Sequence, residues 1–273
     1  MKEIGFEERK KLQLDILKEI DSFCRANNIT YYLAFGTLLG AIRHKGYIPW
    51  DDDIDIMMPR KDYVKLLELY PSDGRYRFLT SHNTKNFPYA FGKVIDTLTI
   101  KNEAIRPKYQ MIGLDIDIFP IDNYPDDIDE AKSWSQDIKS LQDKMHHLMA
   151  QHAKGRNIQR TIVRNVLISF RHLIDDMGIC TVSRYVGCIE ALSQRYNEKQ
   201  TNYCGIVSLA TYGIKKRNRK EVYASAVDVD FEGNKFLAPA GYDEYLKDVY
   251  GDYMQLPPIE KRKTHHSNKV YWK

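Results

Sequence analysis

Apolar positions along this chain switch between helical and alternating spacing, and each switch marks an element. Leu12, Ile16, Leu17, Ile20 and Phe23 recur every three or four residues, which predicts an amphipathic first helix ending near Asn27 and Asn28. The apolar run 31–35 predicts a buried strand, Gly36-Thr37 a turn, and 38–43 a short helix that Gly46 and Pro49 end. Residues 53–57 predict the next strand and 61–70 a helix closed by Pro71. Strands are expected at 77–80, 89–96 and 99–103, and the run 114–119 alternates Asp115 and Asp117 with Ile116 and Ile118. From about residue 127 to 198 glycines are few and the spacing is helical. Short strands return at 203–209, 227–231 and 236–238, the last two flanking a hairpin turn at Glu232-Gly233-Asn234-Lys235, before a helix at 242–250. The pattern predicts an α/β fold in three parts: a core at 1–126, a helical insertion at 127–200, and a C-terminal α/β segment at 201–273 that returns to the core.

Composition narrows the classes. With 43% hydrophobic and 12% aromatic residues among 273, the chain can bury a sizeable core, which excludes global disorder. Lys and Arg number 41 against 37 acidic residues, and a net charge of +4 is too mild to imply nucleic-acid binding, so none is expected. Cys24, Cys180, Cys188 and Cys204 lack metal-ligand spacing, and free thiols in a reducing compartment are expected. The charged, helical N-terminus has no signal-peptide apolar block, and no stretch approaches about 18 consecutive apolar residues. A cytoplasmic protein is therefore expected.

The densest chemistry lies in 31–59, YYLAFGTLLGAIRHKGYIPWDDDIDIMMP. On a strand, residues i, i+2 and i+4 share a face, so Asp51, Asp53 and Asp55 would project together at spacings of roughly 6–7 Å. Three like charges so close require a cation or retained protons. Oxygen-only donors suit Mg²⁺ or Mn²⁺, and Mg²⁺ characteristically binds one or two carboxylates together with substrate phosphate. Gly36, ahead of a short helix, would let backbone approach that phosphate at the helix N-terminus, with the Thr37 hydroxyl beside it. A calcium loop is excluded: counted from Asp51, the glycine and glutamate positions of an EF-hand fall on Ile56 and Asp62. Asp115 and Asp117 share one face of their strand and would supply a further ligand, Asp117 being preferred because it directly precedes the IFP run.

Cationic groups placed to meet phosphate are Arg43, His44 and Lys45 before the acidic run, Lys93 inside an apolar strand pattern, and Arg262, Lys263, His265 and His266 near the end. Between 158 and 174, Ile162, Val163, Val166, Leu167, Phe170 and Ile174 form an apolar face, with Arg156, Arg160, Arg164 and Arg171 mostly opposite. The preferred reading is a core-facing helix with a solvated basic face. The second is peripheral membrane contact, with 156–174 resting on anionic lipid.

These residues resemble the LicD family of cholinephosphotransferases over most of the chain. FGTLLGAIRHKGYIPWDDDIDIMM is similar to that family's central signature, FGKVID and DIDIFPID to its next two strands, and YDEYLKDVYGDYMQLPP with KRKTHH to its C-terminal block. The family is related to the fukutin-type ribitol-phosphate transferases, and the resemblance implies a nucleotidyltransferase-like mixed sheet core with a helical insertion. The general pattern of that fold is a Gly-Gly or Gly-Ser turn, Asp-x-Asp on the following strand and a third carboxylate on a later one. Gly36 matches the turn glycine, Asp53 and Asp55 the metal pair, and Asp117 the third carboxylate. Thr37 departs from the usual Gly or Ser but keeps a hydroxyl.

The resemblance further implies transfer of phosphocholine from CDP-choline to a sugar hydroxyl of a lipid-linked glycan precursor, of teichoic acid or lipopolysaccharide type, with release of CMP. Asp51 would serve as an outer carboxylate or proton acceptor. Gly36, Thr37, Arg43, His44, Lys93, Arg262 and His265 would bind the donor, the C-terminal segment would complete the active site, and the protein would work at the inner face of the membrane. Trp50, Tyr89 and Tyr124 flank the acidic strands and are expected to offer aromatic faces to the quaternary ammonium. Phosphoribitol or phosphoglycerol transfer from a CDP-alcohol, and a DxD metal-dependent glycosyltransferase, are the alternatives.

Overall fold

A computed structural model describes residues 1–110, 113–152, 158–264 and 268–273. Helix α1 (Phe6–Ala26) buries Leu12, Ile16, Leu17 and Ile20, the stripe its spacing dictates. After it come β1 (Tyr32–Leu33), α2 (Phe35–His44), β2 (Asp55–Pro59), α3 (Arg60–Leu69), β3 (Tyr76–Leu79), β4 (Gly92–Asp96), β5 (Thr99–Asn102) and the long β6 (Leu114–Tyr124). The helices α4 (Ile128–Met149), α5 (Ile158–Asp176) and α6 (Val182–Ser193) follow. The chain then forms β7 (Tyr203–Ile206), β8 (Asn218–Arg219), the hairpin β9 (Ala226–Phe231) and β10 (Asn234–Pro239), α7 (Tyr242–Tyr250) and β11 (Lys269–Trp272).

This is the mixed α/β architecture expected. Among the described residues, one sheet holds seven strands, ordered β1-β2-β6-β4-β3 with β7 on β6 and β8 on β7. β2 and β6 run parallel with Asp55 opposite Asp117, while β4 pairs antiparallel on the other side of β6 with Lys93 opposite the same Asp117. Strand β6 therefore places one carboxylate between a carboxylate and an ammonium. The main apolar cluster unites α1, α2, the sheet, the hairpin and α7, including Ile16, Leu38, Ile56, Ile118, Phe236 and Leu246. α4 and α6 gather a second cluster around Trp134, Tyr196 and Tyr124. Asp127 caps α4 by accepting the N–H groups of Asp129 and Glu130 at 3.0 and 2.7 Å.

Several expectations change. The strand at 31–35 shrinks to β1, and α2 already starts at Phe35, because Ala34 stays extended and accepts the first helical N–H, from Leu38 at 3.0 Å. Gly36 and Thr37 thus lie in the first turn of a helix. β2 begins only at Asp55, which leaves Asp51 and Asp53 in the loop before it. Their convergence comes from the folding of that loop and not from strand alternation.

The core-facing reading of α5 is overturned. Ile162, Val163, Val166, Phe170 and Leu173 are each more than half exposed, while Ile168 is 2% exposed. Buried Asp175, bonded to Arg106 and Lys108 at 2.7 and 3.1 Å, helps anchor the protein-facing side. β11 was not foreseen; it pairs antiparallel with β5, a partner far away in sequence.

Candidate active site

Residues from α2, the loop 48–54, β2 and β6 line a cleft of about 1070 Å³ together with residues 209–212 and 250–262. Asp51, Asp53, Asp55 and Asp117 all line it, as do Gly36, Arg43, Trp50 and Arg262. A Cβ at Gly36 would collide with the Asp51 carboxylate, so glycine is what admits that carboxylate to the first turn of α2. Phe35, just before it, has a strained φ of 42°, and its N–H donates to the Tyr245 hydroxyl at 3.3 Å. Buried Thr37 uses its Oγ1 to accept the Asp55 N–H at 2.9 Å, tying the helix to the start of β2.

The carboxylates crowd one another. Ligand oxygens of Asp51, Asp52 and Asp53 lie within 4.8 Å of one another. Asp52 falls outside the i, i+2 set and was missed for that reason; in a loop, sequence neighbours can converge. Burial, then Asp53 and Asp52, push the Asp51 carboxyl up to about 7. Burial, together with Asp53, Asp117 and Asp51, holds Asp55 well above the usual carboxylate range despite Lys93. Burial likewise raises Asp117, against the pull of Lys93.

Lys93 is buried, its Nζ 2.6 Å from Asp115 and also bonded to Asp117. The two carboxylates overcome burial and hold its ammonium well above the ordinary lysine value. Burial alone would raise Asp115, but Lys101 and Lys93 prevail and keep it below the carboxylate range. Asp115 is thus neutralised by lysines, whereas Asp117 reaches the cleft. A smaller cavity of about 250 Å³ also touches Asp53 and Asp117, with Lys93, Lys101 and Asp115 among its lining. Four oxygen-donating side chains lining one cleft, three of them forced towards their protonated forms, fit a divalent cation such as Mg²⁺ or Mn²⁺.

The remaining predicted residues divide. Arg43 donates from Nη1 to the Tyr253 carbonyl at 2.7 Å, linking α2 to the C-terminal part of the cleft, and from Nε to His44 Nε2 at 2.9 Å. His44 is absent from the cleft lining; its ring lies 6.5 Å from Trp50, and burial, then Arg43, lower its pKa. Arg262 sits 5.5 Å from the Trp50 ring and donates to the Pro257 carbonyl at 2.8 Å. His265 and His266 lie outside the described residues. Of the three aromatics expected at the site, Trp50 alone lines the cleft. Tyr89 lies over Lys93, 4.6 Å from its Nζ, and Tyr124 is buried 5.3 Å from Trp134 in the second cluster.

A family model described as LicD/FKTN/FKRP, nucleotidyltransferase domain, matches residues 28–157. Over 276 aligned positions, covering 99% of each chain, the sequence is 30% identical to the lipopolysaccharide cholinephosphotransferase LicD of Haemophilus influenzae. The chain belongs to the LicD family. It also shares 36% identity over 84 residues with an uncharacterized protein of Rickettsia typhi, 30% of this chain and 27% of that one. An uncharacterized protein of Rickettsia prowazekii is 37% identical over 75 residues, 27% of this chain and 28% of its own. The LicD family match takes in Gly36, the four cleft carboxylates and Lys93, whereas the 209–212 and 250–262 lining lies beyond it.

That C-terminal lining holds the aromatics that sequence reasoning missed. Tyr212 stacks on Phe35 with centroids 5.4 Å apart and meets Tyr250 edge-on at 5.8 Å. Tyr250 falls within the YDEYLKDVYGDY block, a signal that could have found it. Tyr212 occupies a loop position with a left-handed φ of 67°, where no periodicity marks it.

Proposed function

We propose that this LicD-family chain transfers phosphocholine from CDP-choline to a sugar hydroxyl of a lipid-linked cell-surface glycan precursor, releasing CMP. The reading is carried by one cleft that combines four carboxylates with tyrosine and tryptophan rings, in a chain resembling a lipopolysaccharide cholinephosphotransferase from end to end. Asp53, Asp55 and Asp117 would hold Mg²⁺ or Mn²⁺, which when bound supplies positive charge for the diphosphate and the departing CMP.

The chain's own groups would do the rest. The N–H of Phe35 is taken by Tyr245, and the first-turn N–H of Gly36, which lines the cleft, would meet a phosphate oxygen. Arg43 and Arg262 add positive charge within the same cleft. Asp51, against Gly36, would accept the hydroxyl proton as the acceptor oxygen bonds to phosphorus and the phosphorus–oxygen bond to CMP breaks. Trp50, Tyr212 and Tyr250 would surround the trimethylammonium group, each face contributing about 0.5–2 kcal/mol.

The test is incubation of purified protein with CDP-choline, Mg²⁺ and a lipopolysaccharide or teichoic acid acceptor, with and without EDTA. CMP release and acceptor-linked phosphocholine are expected, both lost with EDTA and in the Asp53→Ala, Asp55→Ala double variant. Preference for CDP-ribitol or CDP-glycerol would reassign the donor, and release of a nucleoside diphosphate would indicate glycosyl transfer instead.

A further inference from the structure

We propose that α5 docks the protein on an anionic lipid surface, with its apolar stripe in the interface and its arginines among the headgroups. At 100° per residue, Ile162, Val166, Phe170 and Leu173 fall within about 80° of one another around the helix. They are 57%, 62%, 61% and 54% exposed. The side facing the protein is a different one: Ile168, buried, lies about 160° from both Val166 and Phe170. Helix α5 is thus attached by a narrow side and turns its broad apolar side to solvent, the reverse of an ordinary surface helix.

Charge selects the occupant. Val163 and Leu167, 61% and 51% exposed, widen the stripe on one side, Arg160, Arg164 and Arg171 form a row about 20–60° beyond Leu167, and residues 158–174 contain no acidic side chain. A second copy packed on the stripe would bring two such rows together, whereas an anionic bilayer neutralises them. Among the described residues no helix is long and apolar enough to cross a membrane, so α5 lies in the interface. This docking does not depend on the catalytic reading.

The experiment is co-sedimentation of the full chain with vesicles of phosphatidylcholine alone and of phosphatidylcholine with one-third phosphatidylglycerol. Binding to the anionic vesicles is expected to be at least roughly tenfold tighter. Val166→Glu with Phe170→Glu should weaken it roughly tenfold or more, and Arg160→Gln with Arg164→Gln by about fivefold for each charge removed. These side chains are exposed, and unchanged circular dichroism would show that the variants fold. Absence of binding by the unaltered chain, equal binding to both vesicles, or variants that bind as the unaltered chain does would each overturn the proposal. So would a dimer in analytical ultracentrifugation that Val166→Glu dissociates, which would assign the stripe to a second copy. With a delipidated glycan acceptor to take the phosphocholine, CMP release from CDP-choline should be unchanged in these variants; its absence from every chain would sink the catalytic reading and leave the docking result standing.

Discussion

Thr37 and Asp55, 18 residues apart, are joined by a hydrogen bond in which the Asp55 N–H donates to Thr37 Oγ1 at 2.9 Å. The bond fixes the first residue of β2 against the first turn of α2, so the Asp55 carboxylate leaves its strand beside the helix N-terminus. Thr37→Val keeps the shape and removes the acceptor, stranding a part-buried N–H. Urea unfolding should show a loss of about 1–3 kcal/mol, and CMP release should fall with it. Thr37→Ser restores the acceptor and should recover most of both; indistinguishable Val and Ser variants would show the bond to be idle.

Gly36→Ala tests the close approach of Asp51. The colliding atom is the end of a side chain that can swing away, so stability should change by less than about 1 kcal/mol. CMP release should nevertheless drop roughly tenfold, because the carboxylate that would accept the hydroxyl proton is displaced. An alanine variant with unaltered CMP release would contradict this account of the glycine.

Lys93 neutralises Asp115 and Asp117 inside the protein. Lys93→Met leaves Asp115 with Lys101 alone and takes from Asp117 its ammonium, and should cost about 3–5 kcal/mol in denaturant unfolding. Adding Asp117→Asn should return part of that loss, since the carboxylate that lost its ammonium is then gone. Strict additivity of the two substitutions would rule out the pairing as a source of stability.

The crowded carboxylates set a pH dependence. Asp51, pushed up to about 7, and Asp55 and Asp117, also raised, bind protons in the folded chain that the unfolded chain has already released. The stability that these three groups contribute is therefore fully present below the ordinary carboxylate range and declines as pH rises from that range through about 7. In EDTA, the Tm should be roughly 3–8 °C lower at about pH 8 than at about pH 5.5. Mg²⁺ should raise it chiefly at the higher pH, where the deprotonated site binds the ion and the unfolded chain does not. A Tm that Mg²⁺ raises equally at both values would separate the ion from these groups.

Much of the fold was legible because periodicity is a local property. The stripe of α1, the α4–α6 run, the hairpin around Gly233 and the two acidic segments were all visible as spacing. The limits also have a local cause. An Asp-x-Asp-x-Asp pattern looks the same in a strand and in a loop, so β2 was started too early. The face of α5 was read as core because apolar spacing says that a face exists and not what covers it.

By itself, the sequence determined the element types, the presence of a crowded acidic segment beside a glycine, and the aromatic supply. Only the tertiary structure decided that Asp117 meets Asp55 through parallel register, that Lys93 lies on the far side of the same strand, and that Tyr212 and Tyr250 share the carboxylates' cleft. It also decided that Tyr124 belongs to another cluster and that the α5 stripe faces outward. Spacing along a chain records which side of an element is apolar. Which distant side is brought against it depends on packing over the whole molecule, and that leaves no local trace.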